Sequence, residues 1–211
     1  MAAQVEESHA RSRILEAARQ EFFKKGFEGA RMQTIADAAG INKALLHYYF
    51  NNKETLFNEI FESSFRKFIP HVEEMIVQEQ DVFIIIRKFV HAYISLMQAQ
   101  PSLPLFLFHE INKDADRVFK LIFNNAQPTM MLQLYSKIDK AQKENLIKPI
   151  RFEQLVMNIM SMCVFPFLAK PMMQRVMNFS DDSFDDMMEQ RKQLVADFII
   201  DSIQITTLNK S

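Results

Sequence analysis

MQTIADAAGINKALLHYYFNNK, residues 32–53, is the stretch whose reading decides the fold. Ile35, Ala36 and Ala39 recur at i, i+1 and i+4, which puts small and apolar groups on one face of a short helix over 32–39. Gly40 follows where a chain leaving a helix needs a left-handed residue. Ile41 returns the chain to the core, and Asn42 can cap a second short helix over 43–50 with its side-chain oxygen. Two helices joined by so short a turn must cross steeply. That geometry is a helix-turn-helix, whose second helix enters the DNA major groove.

Working outward, a first helix is expected over 8–25. Ser8 can cap it, Ile14, Leu15, Ala18, Phe22 and Phe23 form its apolar stripe, and Gly26 stops it. A fourth helix starts after Asn52, carries Glu54 in its first turn, and runs through Leu56, Phe57, Ile60, Phe61, Phe65 and Phe68 until Pro70 bends or ends it. About five more helices follow, over 81–99, 104–112, 114–145 with a kink or break at Pro128, 151–177 with Pro166 and Pro171 inside, and 183–208. The tail TTLNKS reads as a frayed end. The expected fold is all-α. A three-helix head, residues 1–57, is joined by a long helix to a helical body, residues 58–211.

Composition supports this and excludes other classes. The chain has 211 residues, 48% of them hydrophobic, enough to bury a sizeable core. Its three glycines, Gly26, Gly29 and Gly40, all lie in the head, so tight hairpins are not expected beyond it. The single cysteine, Cys163, excludes an internal disulfide and suits a reducing cytoplasm. No uninterrupted apolar run reaches ~18 residues, and the N-terminus lacks the apolar core of a signal peptide, so no membrane partner is expected. His9, His47, His71, His91 and His109 show no metal-ligand spacing, and no glycine-rich phosphate loop is present. The acidic run Asp181, Asp182, Asp185, Asp186 reads as the start of the last helix, where negative charge complements the helix dipole. No catalytic residue, metal or cofactor is expected. The formal net charge of −1 hides an asymmetry: residues 8–53 hold eight basic and four acidic side chains. A surface that binds phosphate must be cationic only where it touches DNA.

From about Arg11 to Phe57 the chain resembles the tetracycline-repressor (TetR) family of bacterial transcriptional regulators. The resemblance rests on ILEAARQEFFKKGFEG, the IADAAGI turn and the ending LHYYFNNKETLF, in that order and at family spacing. It implies a homodimeric regulator, most simply a repressor, that binds a two-fold-symmetric double-stranded operator and is released by a small apolar or amphipathic effector. Lys43 and Ala44 would face bases, His47 and Tyr48 the backbone or a thymine methyl, and Lys53 a phosphate. Arg31, Gln33, Thr34 and Asn42 complete the expected DNA-facing set, whereas Tyr49 and Phe50 read as core. The chain departs from the family pattern at Ala44 and Leu45, at His47, and at Arg31, which stands where a hydroxyl usually opens the second helix. These departures bear on the operator sequence, not the fold.

The body is rich in Phe and Met, side chains suited to adaptable apolar sites. Candidate effector-lining residues are His91, Phe106, His109, Glu110, Met131, Tyr135, Asn158, Met162 and Cys163. Family architecture places a four-helix dimer contact on the last two helices. Met157, Met160, Val164, Phe165 and Leu168 would come from one, and Leu194, Phe198, Ile199, Ile203 and Ile205 from the other. The competing reading is an all-α lipid or drug carrier that does not act on DNA; the basic head with its Gly40 turn weighs against it.

Overall fold

The computed structural model describes residues 2–123 and 127–205. These form twelve helices: α1 (Ala2–Gly29), α2 (Met32–Ala39), α3 (Lys43–Phe50), α4 (Lys53–Phe65), α5 (Phe68–Gln78), α6 (Val82–Ala99), α7 (Leu103–Lys113), α8 (Ala115–Phe123), α9 (Gln127–Lys143), α10 (Phe152–Leu168), α11 (Lys170–Met177) and α12 (Asp181–Ile203). The described residues hold no strand, only an isolated antiparallel bridge between Ile147 and Gln204. Packing separates two compact units. One is Met1–Lys67 with Ser102–Asn124; the other is Phe68–Pro101 with Asn125–Ser211. The head expected over residues 1–57 lies in the first unit, which also takes in the rest of α4, and α7 and α8.

Several boundaries differ from expectation. α1 begins at Ala2, so Ser8 lies inside the helix rather than at its cap. Gly26 does break the helical geometry, with φ 68° and ψ 179°. α4 ends at Phe65 and Phe68 opens α5, a helix not anticipated from the sequence. Pro70 sits in the first turn of α5, where a missing N–H costs nothing. The helix expected over 114–145 is two helices, and its join at 124–126 lies outside the described residues. The helix expected over 151–177 is also two, bent by 69° between α10 and α11. α12 ends at Ile203; the expected extension through Leu208 and the TTLNKS tail lie outside the described residues.

The first unit is organised by aromatic packing. Phe57 meets Phe22 edge-on at 5.2 Å and Phe61 at 5.8 Å, and Phe106 of α7 lies 5.7 Å from both Phe57 and Phe61 and stacks on Phe23 at 4.7 Å. Such pairs add ~0.5–1.5 kcal/mol each beyond the burial of their area. α7 is therefore part of the core that holds the helix-turn-helix.

In the second unit α6 and α12 form the main contact. α6 presents Ile85, Ile86, Val90, Ile94 and Met97, and α12 presents Val195, Ala196, Ile199, Ile200 and Ile203, all buried. By length and composition α6 could cross a membrane. Its apolar side is instead the core of this unit, and its two charges are paired, Arg87 with Asp197 and Lys88 with Glu79. Pro166 inside α10 has no N–H for the carbonyl of Met162 four residues earlier. Arg191 of α12 supplies the missing donors, with Nε at 3.1 Å and Nη2 at 3.0 Å from that oxygen.

Candidate DNA-binding surface

The turn between α2 and α3 is built as the sequence requires. Gly40 adopts φ 66° and ψ 37°, its N–H donates to Asp37 O, and the Ile41 N–H donates back to Ala36 O, both at 3.1 Å. This pairing closes the end of α2 with the left-handed residue that only glycine adopts without strain. Ile35, Ala36, Ala39, Leu46 and Phe50 are buried and fix the two helices against α1 and α4. Asn42 caps α3 by accepting from the Leu45 N–H at 2.8 Å, and Asn52 caps α4 by accepting from the Thr55 N–H at 2.8 Å.

The N-terminus of α2 is closed in a way that local sequence does not announce. Arg31 occupies the cap position, and its side chain makes no cap hydrogen bond. Its backbone N–H instead donates to Glu21 Oε1 of α1 at 3.2 Å. Glu21 is buried, and the same oxygen accepts from Lys25 at 2.8 Å. A carboxylate on α1 thus satisfies the N–H of the cap residue itself, whereas a cap hydroxyl would have accepted from an N–H inside the first turn of α2. The Arg31 side chain is left exposed.

With this frame in place, Arg31, Gln33, Thr34, Asn42, Lys43, Ala44, His47 and Tyr48 are all exposed, Tyr48 at 76%. Gln33 is tied to Asp37 at 2.7 Å, and the Asn42 oxygen is occupied by its cap, so Asn42 has only its amide hydrogens to offer. Lys53 is half-buried: its ammonium donates to Glu28 O at 3.1 Å and lies 4.8 Å from the centre of the Phe27 ring. It closes the end of α1 as well as standing at the start of α4. Other basic groups of this unit are also committed. Arg11 pairs with Glu59 at 3.1 Å, and Arg19 donates to Ser63 and Ser64. Burial acts to raise the Glu59 carboxyl, but hydrogen bonds from Arg11 and Arg66 outweigh it and hold the group below its ordinary range.

The residues expected to line an effector cavity fall in both units. Phe106 is buried in the aromatic core of the first unit. Glu110, also buried, accepts from the Phe27 N–H at 3.0 Å, just beyond Gly26. A Cβ on Gly26 would stand 2.8 Å from that carboxylate, so the glycine serves both its positive φ and the close approach of α7. His109 is exposed on the same helix. In the second unit His91, Tyr135 and Asn158 are exposed, Met131 and Met162 half-buried, and Cys163 fully buried. Burial, partly offset by Arg191, pushes the Cys163 thiol up to about 12, which leaves it protonated and inert at neutral pH. One open concavity of about 390 Å³ in that unit is lined by Asp81, Phe83, Lys137, Lys140 and Glu144 among others, and by none of the nine candidates. Another, of about 660 Å³, lies beside α3 and is lined by Arg13, Asn42, Leu45, Tyr48 and residues of α1.

Of the residues expected at a dimer contact, Met157, Phe165, Leu194 and Phe198 are exposed at 54–63%, and Met160, Val164, Leu168 and Ile205 are half-buried. Ile199 and Ile203 are instead buried in the chain's own core, because one turn apart they share a face of α12 that is turned away from Phe198.

An exposed, doubly capped α3 on a small helical unit defines a helix-turn-helix DNA-binding protein. Residues 14–60 match the model of the bacterial regulatory proteins of the tetR family. Over 136 residues, 64% of this chain and 71% of the relative, it is 24% identical to the uncharacterized HTH-type transcriptional regulator YhgD of Bacillus subtilis. Among solved structures it is similar to a linker-substituted mutant of HlyIIR, with a TM-score of 0.66 at 21% identity over 95% of this chain and 100% of that one. It is likewise similar to the transcriptional regulator FadR of Bacillus subtilis in complex with stearoyl-CoA, with a TM-score of 0.63 at 16% identity over 92% and 100%. Transcriptional regulation, and not catalysis, is what these similarities support.

Proposed function

We propose that the chain is a cytoplasmic, homodimeric repressor that binds a two-fold-symmetric operator and is released by a small amphipathic effector. The observation that carries the DNA part is the exposed face of α3, with Lys43, Ala44, His47 and Tyr48 clear of any neighbour that would bar a groove. One such head touches few base pairs, so two are needed, their recognition helices ~34–36 Å apart. The exposed apolar side chains Met157 and Phe165 of α10 and Leu194 and Phe198 of α12 supply the means of pairing. Repression follows most simply, because a dimer seated in two successive major grooves blocks a promoter that overlaps its site. Support for an amphipathic effector comes from the stearoyl-CoA bound by FadR. The nine candidate effector residues fall in both units, Phe106, His109 and Glu110 in the first and the other six in the second.

The reading is tested by incubating the purified chain with a library of random duplexes and sequencing the bound fraction. The expected product is a symmetric site whose half-sites are about one helical turn apart. Lys43→Ala should reduce discrimination at particular positions by ~1–3 kcal/mol. A bound fraction with no enriched sequence would refute the regulator reading. Fatty acids, acyl thioesters and hydrophobic drugs added to the selected complex test the effector half separately.

A further inference from the structure

His47 is the fifth residue of α3 and is exposed one turn beyond Lys43, on the same face. Its Nδ1 lies 2.8 Å from the carbonyl oxygen of Asn51. Asn51 closes α3 with φ 53° and ψ −61°, and its own N–H donates to the His47 carbonyl at 2.8 Å. The two residues are therefore bonded twice, and the carbonyl's position is set by the helix end. A carbonyl oxygen only accepts, so Nδ1 must carry the hydrogen. In the neutral imidazole this leaves Nε2, on the other edge of the ring, as a bare acceptor at the exposed surface.

We infer that His47 is a specificity-determining residue that reads an amino base through Nε2 as an acceptor. The inference rests on the proposed function, in which α3 enters the major groove. Phosphate oxygens, guanine O6 and thymine O4 are acceptors and repel such a nitrogen. In the major groove the donors are cytosine N4 and adenine N6. His47 therefore selects A or C against G or T at one position of each half-site. Lys43, one turn earlier, is a pure donor and selects the opposite kind of group. This assignment replaces the sequence-based expectation that His47 meets the DNA backbone or a thymine methyl.

Two measurements test it. In the selection experiment the wild type should enrich A or C at one position per half-site, and His47→Phe should lose that preference alone, by about 2–10-fold, the worth of one hydrogen bond. Purine in place of adenine at that position should weaken the wild type and leave His47→Phe indifferent. Nitrogen-15 spectra of the imidazoles in the free protein, with the His47→Phe variant giving the assignment, should show the hydrogen on Nδ1. A variant that weakens binding to all sequences equally, or a spectrum with the hydrogen on Nε2, overturns the inference and leaves the regulator reading intact. Wild-type protein that binds no duplex overturns both.

Discussion

Gly40 has room for a side chain: nothing lies within 4 Å of the position a Cβ would take. Its φ of 66° is the whole constraint. Gly40→Ala should therefore cost ~1–2 kcal/mol, the penalty of a left-handed L-residue, and Gly40→Asn less, because asparagine tolerates that region. Chemical denaturation of both variants checks this; equal stability of Gly40→Ala and wild type would contradict it. Gly26 and Gly40 were legible in the sequence because a helix stop is a local event. The caps Asn42 and Asn52 were legible for the same reason. Glu21 and Glu110 were not. Their partners, the N–H groups of Arg31 and Phe27, lie 10 and 83 residues away, and no local pattern marks a carboxylate as buried. His47 was legible as a candidate contact, and the chemical role proposed for it required the position of the Asn51 carbonyl.

Prolines account for most of what the sequence misplaced among the helices. Read as stops or kinks, Pro70 and Pro171 instead sit in first turns, where φ near −65° starts a helix. That is why α5 and α11 went unseen as separate helices. Pro166 is the one that lies deep inside a helix, and Arg191 compensates for it. Removing the guanidinium should leave the Met162 carbonyl unpaired and cost ~1–3 kcal/mol. If Pro166 is first changed to Ala, its new N–H can bond that carbonyl, and the cost of Arg191→Ala should shrink. Urea unfolding of the two single variants, the double variant and wild type, at one protein concentration, measures the coupling. Strict additivity would mean that Arg191 acts elsewhere. The hydrophobic periodicity of α6 and α12 was legible, yet it could not separate a dimer face from a core face. Ile199 and Phe198 are neighbours in sequence, and only the fold shows that one is buried and the other exposed.

At the scale of the whole chain, α4 was expected to run unbroken from the DNA head into the body. It ends at Phe65, and the chain passes from the first unit to the second at 67–68 and returns at 101–102. α7 and α8 belong to the same unit as the helix-turn-helix. A ligand can shift the balance between DNA-bound and released forms only by binding the released form more tightly. The central claim is that two heads, paired through the exposed face of α10 and α12, hold DNA largely by charge. It is tested most directly by measuring the stoichiometry and salt dependence of the complex with a selected duplex, for wild type and for Phe198→Asp. Phe198 is 63% exposed, so the substitution spares the core. The account predicts two wild-type chains per duplex, with log K falling linearly against log[salt] at a slope of about −0.9 for each phosphate contacted. It also predicts that Phe198→Asp is monomeric and binds at least about tenfold more weakly, a loss of ~1.4 kcal/mol or more. One chain per duplex, binding indifferent to salt, or a Phe198→Asp variant with wild-type affinity would contradict it.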